Sequence, residues 1–342
     1  MSETILITGG AGFIAHHLIC EIIRETDWNI VTIDRLDYSG NLNRLHQILD
    51  EFSDEDKKRV KVIFHDLKAP ISHQLAKTIG DIHFIAHLAA SSHVDRSIED
   101  PMSFALDNCI GTINLLEYAR TLKNLELFLY FSTDEVFGPA PEGVAYKEYD
   151  RYNSTNPYSA SKAAGEEFVV AYENTYGLPC AISHTMNVFG ERQNPEKFIP
   201  MCIQKVRDNE VVTVHSNREC TQAGSRHYIH ASDVARAVLY IYSMMVHAQV
   251  KPKEYGGAKC NKFNIVGPEE IDNLELAKMI AAAQGKELKY KMVDFHSSRP
   301  GHDLRYALDG GRLSRAGFTV WNVRAQLERT VKWTLDNPEW LL

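Results

Sequence analysis

The stretch TILITGGAGFIA, residues 4–15, places a run of β-forming residues, a glycine-rich turn and the start of a helical pattern in direct succession. Within it, Gly10, Gly12 and Ala15 fit the pattern GxGxxA. With Gly9 in first place, the same stretch also fits GxxGxxA. Glycines between a strand and a helix permit a tight turn, and they let backbone N–H groups approach a pyrophosphate at the helix N-terminus. This context predicts that the turn binds a dinucleotide.

The next predicted strand, NIVTID, ends at Asp34, 22 positions after Gly12. A carboxylate at this place can bind a ribose diol and repels a 2′-phosphate, so it favours NAD over NADP. Arg35 follows immediately and keeps NADP as an alternative. Asp66, after the third predicted strand, either contacts the adenine or caps a helix. The predicted NAD contacts are Gly9, Gly12, Phe13, Ile14, Asp34, Asp66 and Leu67, with Tyr158 and Lys162 from a later helix.

Short β-rich runs alternate with helical patterns through the first half of the chain, as in NIVTID, VKVIFHD and IHFIAHLAA. This alternation is typical of βαβ units that build a parallel sheet. The strands are almost continuously apolar, as expected when helices cover both faces of the sheet. We therefore expect an α/β fold with a Rossmann-like, doubly wound parallel sheet of six or seven strands.

The second half is richer in loop-like segments, such as FGERQNPEKFIP and SNRECTQAGSRHYIH. We expect residues 1–186 to form an NAD-binding domain that also carries the catalytic residues. Residues 187–342 are expected to form mainly a smaller substrate-binding lobe, with some segments returning to the sheet. A cleft between the two parts would then hold the substrate.

Composition argues against several other kinds of function. The 342 residues carry a formal net charge of -8, which disfavours general binding to nucleic acids or anionic membranes. The sequence has no CxxC pair and no HExxH motif, so we expect reduced thiols and no metal site. No apolar run approaches membrane-spanning length, and the N-terminus lacks a secretory pattern. These features predict a cytoplasmic protein.

The motif YSASK places Tyr158 and Lys162 four residues apart on a predicted helix, and hence on one face of it. A free tyrosine has a pKa of about 10, but an ammonium group and an oxidised nicotinamide both stabilise the phenolate. Tyr158 could then take a proton from a substrate hydroxyl while hydride leaves the same carbon. A surface pair of no chemical consequence is the alternative interpretation.

The motif STDEVFG places Asp134 and Glu135 side by side directly after the apolar run LELFLYF. Two neighbouring carboxylates in a closed pocket tend to have different pKa values, because one resists ionisation beside the other. Successive side chains of a strand point to opposite faces, so the chain must bend after Thr133 for both acids to serve one site. Capping of a loop is the alternative role for these acids.

The motifs TGGAGFIA, DYSGNL, SHVDRS, STDEVFG, YSASK, NPEKFIP and RPGHDLRYA together resemble the extended short-chain dehydrogenases. Specifically, they resemble the nucleotide-sugar 4,6-dehydratases, and most of all those that act on dTDP-glucose. The resemblance covers essentially the whole chain. The acid pair and RPGHD are its most diagnostic parts, because related 4-epimerases share the glycine turn and YxxxK but usually lack both acids.

The resemblance implies a reaction and a role for each catalytic residue. Tyr158 would deprotonate the sugar 4-hydroxyl while NAD takes hydride from C4, and Thr133 would hydrogen-bond that hydroxyl. Glu135 would then remove the proton from C5. Asp134 would protonate the departing 6-hydroxyl, and hydride would return to C6. Lys162 would assist Tyr158.

The resemblance also implies a substrate-binding set and a dimer. The substrate would contact His93, Asn187, Lys197, His215, Arg226, Asn264, Arg299 and His302. Arg226 and Arg299 would grip the diphosphate, because a guanidinium group matches phosphate oxygens; ordinary ion pairs within the lobe are the alternative for either arginine. Family members commonly pair through two helices, here residues 101–120 and 159–176, so a homodimer is expected.

Some positions depart from the dTDP-glucose pattern, among them Ala15, Ser91, Thr213 and His215. Because they cluster near the nucleotide and the sugar, UDP- or GDP-linked glucose or N-acetylglucosamine stays an alternative substrate. A UDP-sugar 4-epimerase is a rival that the two acids disfavour. A catalytically idle NAD-binding protein is a further alternative, although it would retain the glycines without the catalytic residues.

Overall fold

The computed structural model describes residues 2–247, 260–294 and 304–342. Its strands are β1 (Thr4–Thr8), β2 (Asn29–Asp34), β3 (Val60–Phe64), β4 (Phe84–His87), β5 (Leu127–Thr133), β6 (Cys180–Thr185), β7 (Asn187–Phe189), β8 (Val212–Ser216), β9 (Ser225–His230), β10 (Asn261–Ile265), β11 (Glu270–Asp272) and β12 (Tyr290–Asp294). Its α-helices are α1 (Phe13–Glu25), α2 (Leu42–Leu49), α3 (Asp54–Lys58), α4 (His73–Ile79), α5 (Val94–Glu99), α6 (Pro101–Ala105), α7 (Gly111–Ala119), α8 (Pro157–Tyr176), α9 (Phe198–Arg207), α10 (Ala231–His247), α11 (Asn273–Ala283), α12 (Gly311–Arg315) and α13 (Val323–Asp336). A π-helical turn, Leu106–Ile110, joins α6 to α7, and 3₁₀ turns span Asp134–Phe137 and Pro338–Leu341.

A seven-stranded parallel sheet forms the centre of the molecule, in the order β10-β6-β5-β4-β1-β2-β3. The strand order reverses between β1 and β4, and ligands of such sheets bind at the carboxyl ends of the strands beside this reversal. The predicted doubly wound fold is confirmed. The seventh strand, β10, comes from the second half of the chain and pairs with β6.

Apolar residues on alternate positions of the strands face different helical layers. Ile5 and Ile7 of β1 pack in one cluster with Leu18 of α1 and Val238 of α10. Leu6 packs on the opposite face, in a second cluster that includes residues of α7. This arrangement explains the continuous apolar character of the strands, since each face of the sheet is buried.

The smaller lobe has a core of its own. A three-stranded sheet, β11-β9-β7, and a two-stranded sheet, β12-β8, pack with α9, α11 and α13. The lobe contributes β7 and the start of α9 to the edge where the central strands end. The division of the chain near residue 186 stays a prediction. Within the described part of the chain, no helix is both long and apolar enough to cross a membrane.

Candidate active site

The glycine turn between β1 and α1 depends on close backbone packing. Gly9 has a φ of +72°, a conformation that residues with a side chain rarely adopt. A Cβ atom on Gly10 would lie 2.4 Å from Cβ of Thr32, so only glycine fits against β2 there. Gly12 is the N-cap residue of α1, and no described side chain caps this helix. The N-terminal N–H groups of α1 are therefore suited to an anion.

Asp34 stabilises the glycine turn and also lines a cavity beside it. Its Oδ2 accepts a hydrogen bond from Ala11 N at 2.9 Å, and its Oδ1 accepts one from Leu36 N at 2.7 Å. A cavity of about 110 Å³ lies here, lined by Gly9, Gly12, Asp34, Asp66 and Leu67, among others. The structure thus brings these five predicted NAD contacts together at one cavity.

Arg35 is committed to acidic partners. Its Nη1 and Nη2 donate to the two carboxylate oxygens of Asp107 at 2.5 and 2.7 Å, and Nη2 also donates to Asp37 at 2.7 Å. Asp66 adds a longer contact of 3.7 Å. The hydrogen bonds that Arg35 donates to Asp107 raise the pKa of Arg35, although burial opposes this. A guanidinium held in this way is poorly placed to bind a 2′-phosphate, which favours NAD.

A second cavity, of about 340 Å³, adjoins the glycine turn. All five predicted catalytic residues line it, together with Gly9, Gly12, Phe13 and Ile14 from the turn. His93, Asn187 and Lys197 of the predicted substrate set also line it. One cavity therefore brings residues of the cofactor, catalytic and substrate groups together.

The chain bends where β5 ends, as expected. Thr133 is the N-cap of the 3₁₀ turn, and its hydroxyl accepts a hydrogen bond from Glu135 N at 3.3 Å and donates one to Asp134 Oδ1 at 3.0 Å. The side-chain amide of Asn156, the N-cap of α8, donates to Glu135 Oε2 at 3.0 Å. This local geometry turns both acids toward the same cavity.

Asp134 is buried, with 5% of its surface exposed. Burial, with the charge of Glu135 as a smaller cause, raises the pKa of Asp134 to about 7, although Arg226 acts in the opposite direction. Its Oδ2 has no hydrogen-bond partner among the described residues. Asp134 can therefore carry a proton near neutral pH and donate it to a ligand.

Tyr158 and Lys162 lie on α8, which begins at a capping box formed by Asn156 and Ser159. Burial raises the pKa of Tyr158, Glu135 and Asp134 raise it further, and a hydrogen bond with Thr133 lowers it. Lys162 is not among the described groups that lower the pKa of Tyr158. Burial also lowers the pKa of Lys162 to about 7, and its ammonium group lies 4.2 Å from the centre of the Tyr130 ring.

The sequence analysis missed a buried polar network centred on Glu166 of α8. Glu166 is fully buried and accepts hydrogen bonds from Ser132 and Tyr152. His184 Nε2 lies 3.1 Å from Glu166 Oε2, and Lys262 Nζ lies 3.5 Å from it. Burial alone would raise the pKa of Glu166, but these two partners lower it to about 2. The only sequence signal was its position four residues after Lys162.

Asn264 of the predicted substrate set does not reach the cavity. It is fully buried on β10, and its amide donates to the carbonyl groups of Tyr146 and Asp309 at 3.0 and 3.1 Å. Its Oδ1 lies 3.1 Å from His184 Nδ1. The side chain therefore links β10 to neighbouring loops, and its assignment as a substrate contact is replaced by this structural role.

The other predicted substrate residues differ in position. Arg226 donates to the carbonyl groups of Ser225 and Leu304, each at 2.6 Å, and lies close enough to Asp134 to lower its pKa. His215 lies on β8, where it is in register with Val293 of β12, and it is not part of the cavity wall. Arg299 and His302 lie outside the described residues.

Comparisons with known proteins show which family the chain belongs to. The sequence model of the GDP-mannose 4,6 dehydratase family matches residues 6–334. The chain belongs to this family. It is 33% identical to a dTDP-glucose 4,6-dehydratase of Escherichia coli over 98% of this chain and 94% of that protein. The predicted relationship to the nucleotide-sugar 4,6-dehydratases is confirmed.

Two further relatives extend the comparison. The chain is 34% identical to a trifunctional UDP-glucose 4,6-dehydratase/epimerase/reductase of Arabidopsis thaliana, over 99% of this chain and 48% of that longer protein. The structure of a dTDP-glucose 4,6-dehydratase from Streptomyces venezuelae with NAD bound has a TM-score of 0.83 and 29% identity, and the match covers 98% of both chains. The family therefore includes members named for different nucleotides.

Proposed function

We propose that this protein is an NAD-dependent nucleoside-diphosphate-hexose 4,6-dehydratase, with dTDP-glucose as the first candidate substrate. The observation that carries the proposal is the turn after β5, which directs Asp134 and Glu135 into the cavity that Tyr158 also lines. The product is the 4-keto-6-deoxy sugar. UDP- or GDP-linked glucose and N-acetylglucosamine are the alternative substrates.

The side chains suit the oxidation at C4 and the loss of water across C5 and C6, after which hydride would return to C6 to give the 6-deoxy sugar. Tyr158 takes the proton of the sugar 4-hydroxyl, and Thr133 hydrogen-bonds this part of the site. Bound oxidised NAD supplies the hydride acceptor and the positive charge that favours the phenolate. The 4-ketone acidifies C5, so that Glu135 can remove the C5 proton. Asp134, with a pKa of about 7, gives its proton to the departing 6-hydroxyl.

The test separates oxidation from elimination. Tyr158→Phe is expected to abolish reduction of bound NAD by the substrate, measured as absorbance of NADH. Glu135→Gln is expected to permit this reduction but to release little dehydrated product, measured by mass spectrometry. Glu142→Gln, in an exposed turn, is the control and should behave as wild type. Full activity of Glu135→Gln would refute its role as the C5 base.

The substrate is identified by offering dTDP-glucose, UDP-glucose, UDP-N-acetylglucosamine and GDP-linked sugars to the purified wild-type protein. Loss of one water from a single donor supports the dehydratase and names its nucleotide. An unchanged mass with altered sugar stereochemistry would instead assign the protein to the 4-epimerases. Asp134 and Glu135 disfavour that result, because an epimerase needs no acid for loss of water.

A homodimer is part of the proposal. Met102, Leu106 and Ile110 recur every four residues along α6 and the π-helical turn and are 66%, 41% and 40% exposed. Phe168 and Tyr176 of α8 are exposed too. An apolar surface of this kind suits burial against a second copy.

The dimer is tested by light scattering coupled to gel filtration. The double change Met102→Glu and Ile110→Glu is expected to yield a monomer, because it would bury carboxylates of both protomers in an apolar interface. Tyr290→Glu, at an exposed position of β12, is the control. A monomeric wild type, or a dimer that survives the double change, would contradict this interface.

We also propose a cytoplasmic location. All six cysteines are free thiols, which suits a reducing compartment. A fluorescent fusion in the native cell should be confined to the cytoplasm, and export of the fusion would contradict the proposal.

A further inference from the structure

Arg44 of α2 carries a buried positive charge that forms no ion pair with any described acidic side chain. Only 3% of its surface is exposed, and no carboxylate lies within ion-pair distance of it in the described ranges. Its Nη1 donates to the carbonyl groups of Ala11 and Ser39 at 3.0 and 2.6 Å, and its Nε donates to that of Arg192 at 3.0 Å. Its Cζ lies 5.6 Å from the ring centre of Trp340. These partners are dipoles and an aromatic ring, so the charge itself is not neutralised.

The electrostatic consequence is visible in the guanidinium itself. Burial lowers the pKa of Arg44 to about 10, and only Asp34, at longer range, acts in the opposite direction. An unpaired buried charge is unfavourable, so an anionic ligand beside Arg44 would stabilise it. Arg35 and Arg59 illustrate the difference, since both have a carboxylate partner.

The position of Arg44 indicates which anion completes it. The residue lines the 340 Å³ cavity together with Gly9, Gly12 and Ser39. Its Nη2 donates to no described residue and is not sealed from the cavity or solvent, whereas Nε and Nη1 are both occupied. The Nη1 group of Arg44 therefore stabilises the glycine turn through its hydrogen bond to Ala11. The N–H groups of Nη2 are available to a ligand that binds at this turn.

We propose that Arg44 binds the pyrophosphate of the dinucleotide. It adds a charged donor to the neutral N–H groups at the start of α1, and such charge-assisted hydrogen bonds are the stronger kind. The inference rests on the proposed NAD dependence. It does not extend to the diphosphate of the nucleotide sugar, because the contact with Ala11 places Arg44 at the glycine turn.

The hydrogen bond from Arg44 to the carbonyl of Arg192 gives Arg44 a second, structural role. Arg192 has a φ of +65°, and the next two residues, Gln193 and Asn194, line the same cavity. Arg44 therefore ties the turn that holds the dinucleotide to a segment from the smaller lobe. Loss of the side chain would act on both, and the experiment must separate binding of phosphate from support of the turn.

The test compares Arg44→Met and Arg44→Lys with wild type. Nucleotide-free protein is titrated calorimetrically with NAD, ADP-ribose and adenosine, and the dinucleotide that copurifies with each variant is measured by its absorbance. Arg44→Met is expected to weaken NAD and ADP-ribose about 10- to 100-fold, as expected for one charge-assisted contact. Arg44→Lys should lose less, because it keeps the charge. Adenosine, which lacks the pyrophosphate, should bind all three proteins equally.

Arg59→Met is the matched control. Arg59, like Arg44, donates hydrogen bonds to backbone carbonyl groups, here those of Thr26 and Ile23 at 2.7 and 2.8 Å. Unlike Arg44, it lines neither of the two cavities described above. This change should lower the melting temperature and leave the NAD affinity unchanged. The salt dependence of NAD affinity should become less steep only in Arg44→Met, since a phosphate contact has been lost.

Four outcomes would overturn the inference, and a fifth would overturn the proposed function alone. Equal weakening of adenosine and NAD, or equal losses in Arg44→Met and Arg44→Lys, would reduce Arg44 to a support of the turn. Unchanged NAD affinity in Arg44→Met, with weaker binding of nucleoside diphosphate to NAD-loaded protein, would assign it to the substrate. A wild type that does not bind NAD refutes both proposals. A wild type that binds NAD but dehydrates no sugar refutes only the proposed function.

Discussion

Replacement of Glu166 by glutamine tests whether the buried network around this residue of α8 stabilises the fold through charge. The carboxylate lies between His184 and Lys262, at 3.1 and 3.5 Å from their nitrogens, and is fully buried. Glutamine has nearly the same shape and keeps an oxygen that Ser132 can bind. The change therefore removes the charge with little change in volume.

The expected loss follows from the pKa of Glu166, which is about 2 in the folded protein against an ordinary value of 4.5. A lowering of this size corresponds to about 3 kcal/mol of folding free energy at neutral pH, and the group is too buried for solvent screening to reduce this. Because the pKa is lowered by folding, this stabilisation is present above pH 4.5 and is lost as pH falls toward 2. Wild type and variant should therefore converge in acid.

The assay is urea unfolding of NAD-loaded protein at pH 7, with the free energy of unfolding extrapolated to water. Glu167→Gln, the exposed neighbour on α8, is the control and should change it by less than about 0.5 kcal/mol. Lys262→Met in both backgrounds completes a double-mutant cycle. A loss below about 1 kcal/mol in Glu166→Gln, or no coupling to Lys262, would refute the charge-based account.

Further predictions concern the acid, the turn and cofactor choice. The rate of elimination should fall as pH rises above about 7, because Asp134 then loses its proton. In stopped-flow measurements, elimination by Asp134→Asn should be slow and independent of pH. An elimination rate of the wild type that increases with pH would contradict this role. Gly10→Ala should cost about 1–3 kcal/mol by calorimetry, since its Cβ would overlap Thr32, and an unchanged melting temperature would contradict the packing. Asp34→Ser should weaken NAD in titrations without conferring affinity for NADP, because Arg35 stays with its acidic partners; tight NADP binding would show that Arg35 is free to move.

The sequence predicted those features that depend on neighbours along the chain. The strand, turn and helix around Gly9 are local, as is the bend after Thr133, where a threonine hydroxyl binds the next two residues. Tyr158 and Lys162 share a helix face for the same reason. The fold class followed from alternating patterns, which are also local.

Features that depend on distant partners were not predictable in this way. The pairing of β10 with β6 joins residues some 80 positions apart, and no pattern in NKFNIV specifies that neighbour. The role of Glu166 depends on its ion pair with Lys262, and that of Arg44 depends on its hydrogen bond to the carbonyl of Arg192, both of them distant in sequence. Asn264 was assigned by resemblance to the substrate, yet its amide satisfies buried carbonyl groups instead.

The direction of the Tyr158 pKa shows why a motif alone does not determine chemistry. YxxxK suggests a phenolate stabilised by an ammonium group, but burial and two carboxylates act against the phenolate in this cavity. Asp134 likewise has a buried oxygen without a described partner, and Arg44 has a buried charge without an ion-pair partner among the described residues. Each group would gain a favourable interaction beside a ligand that offers it a matching charge or hydrogen-bonding group. The ligands must therefore stabilise the folded protein as they bind, since they satisfy groups that the chain itself leaves incomplete.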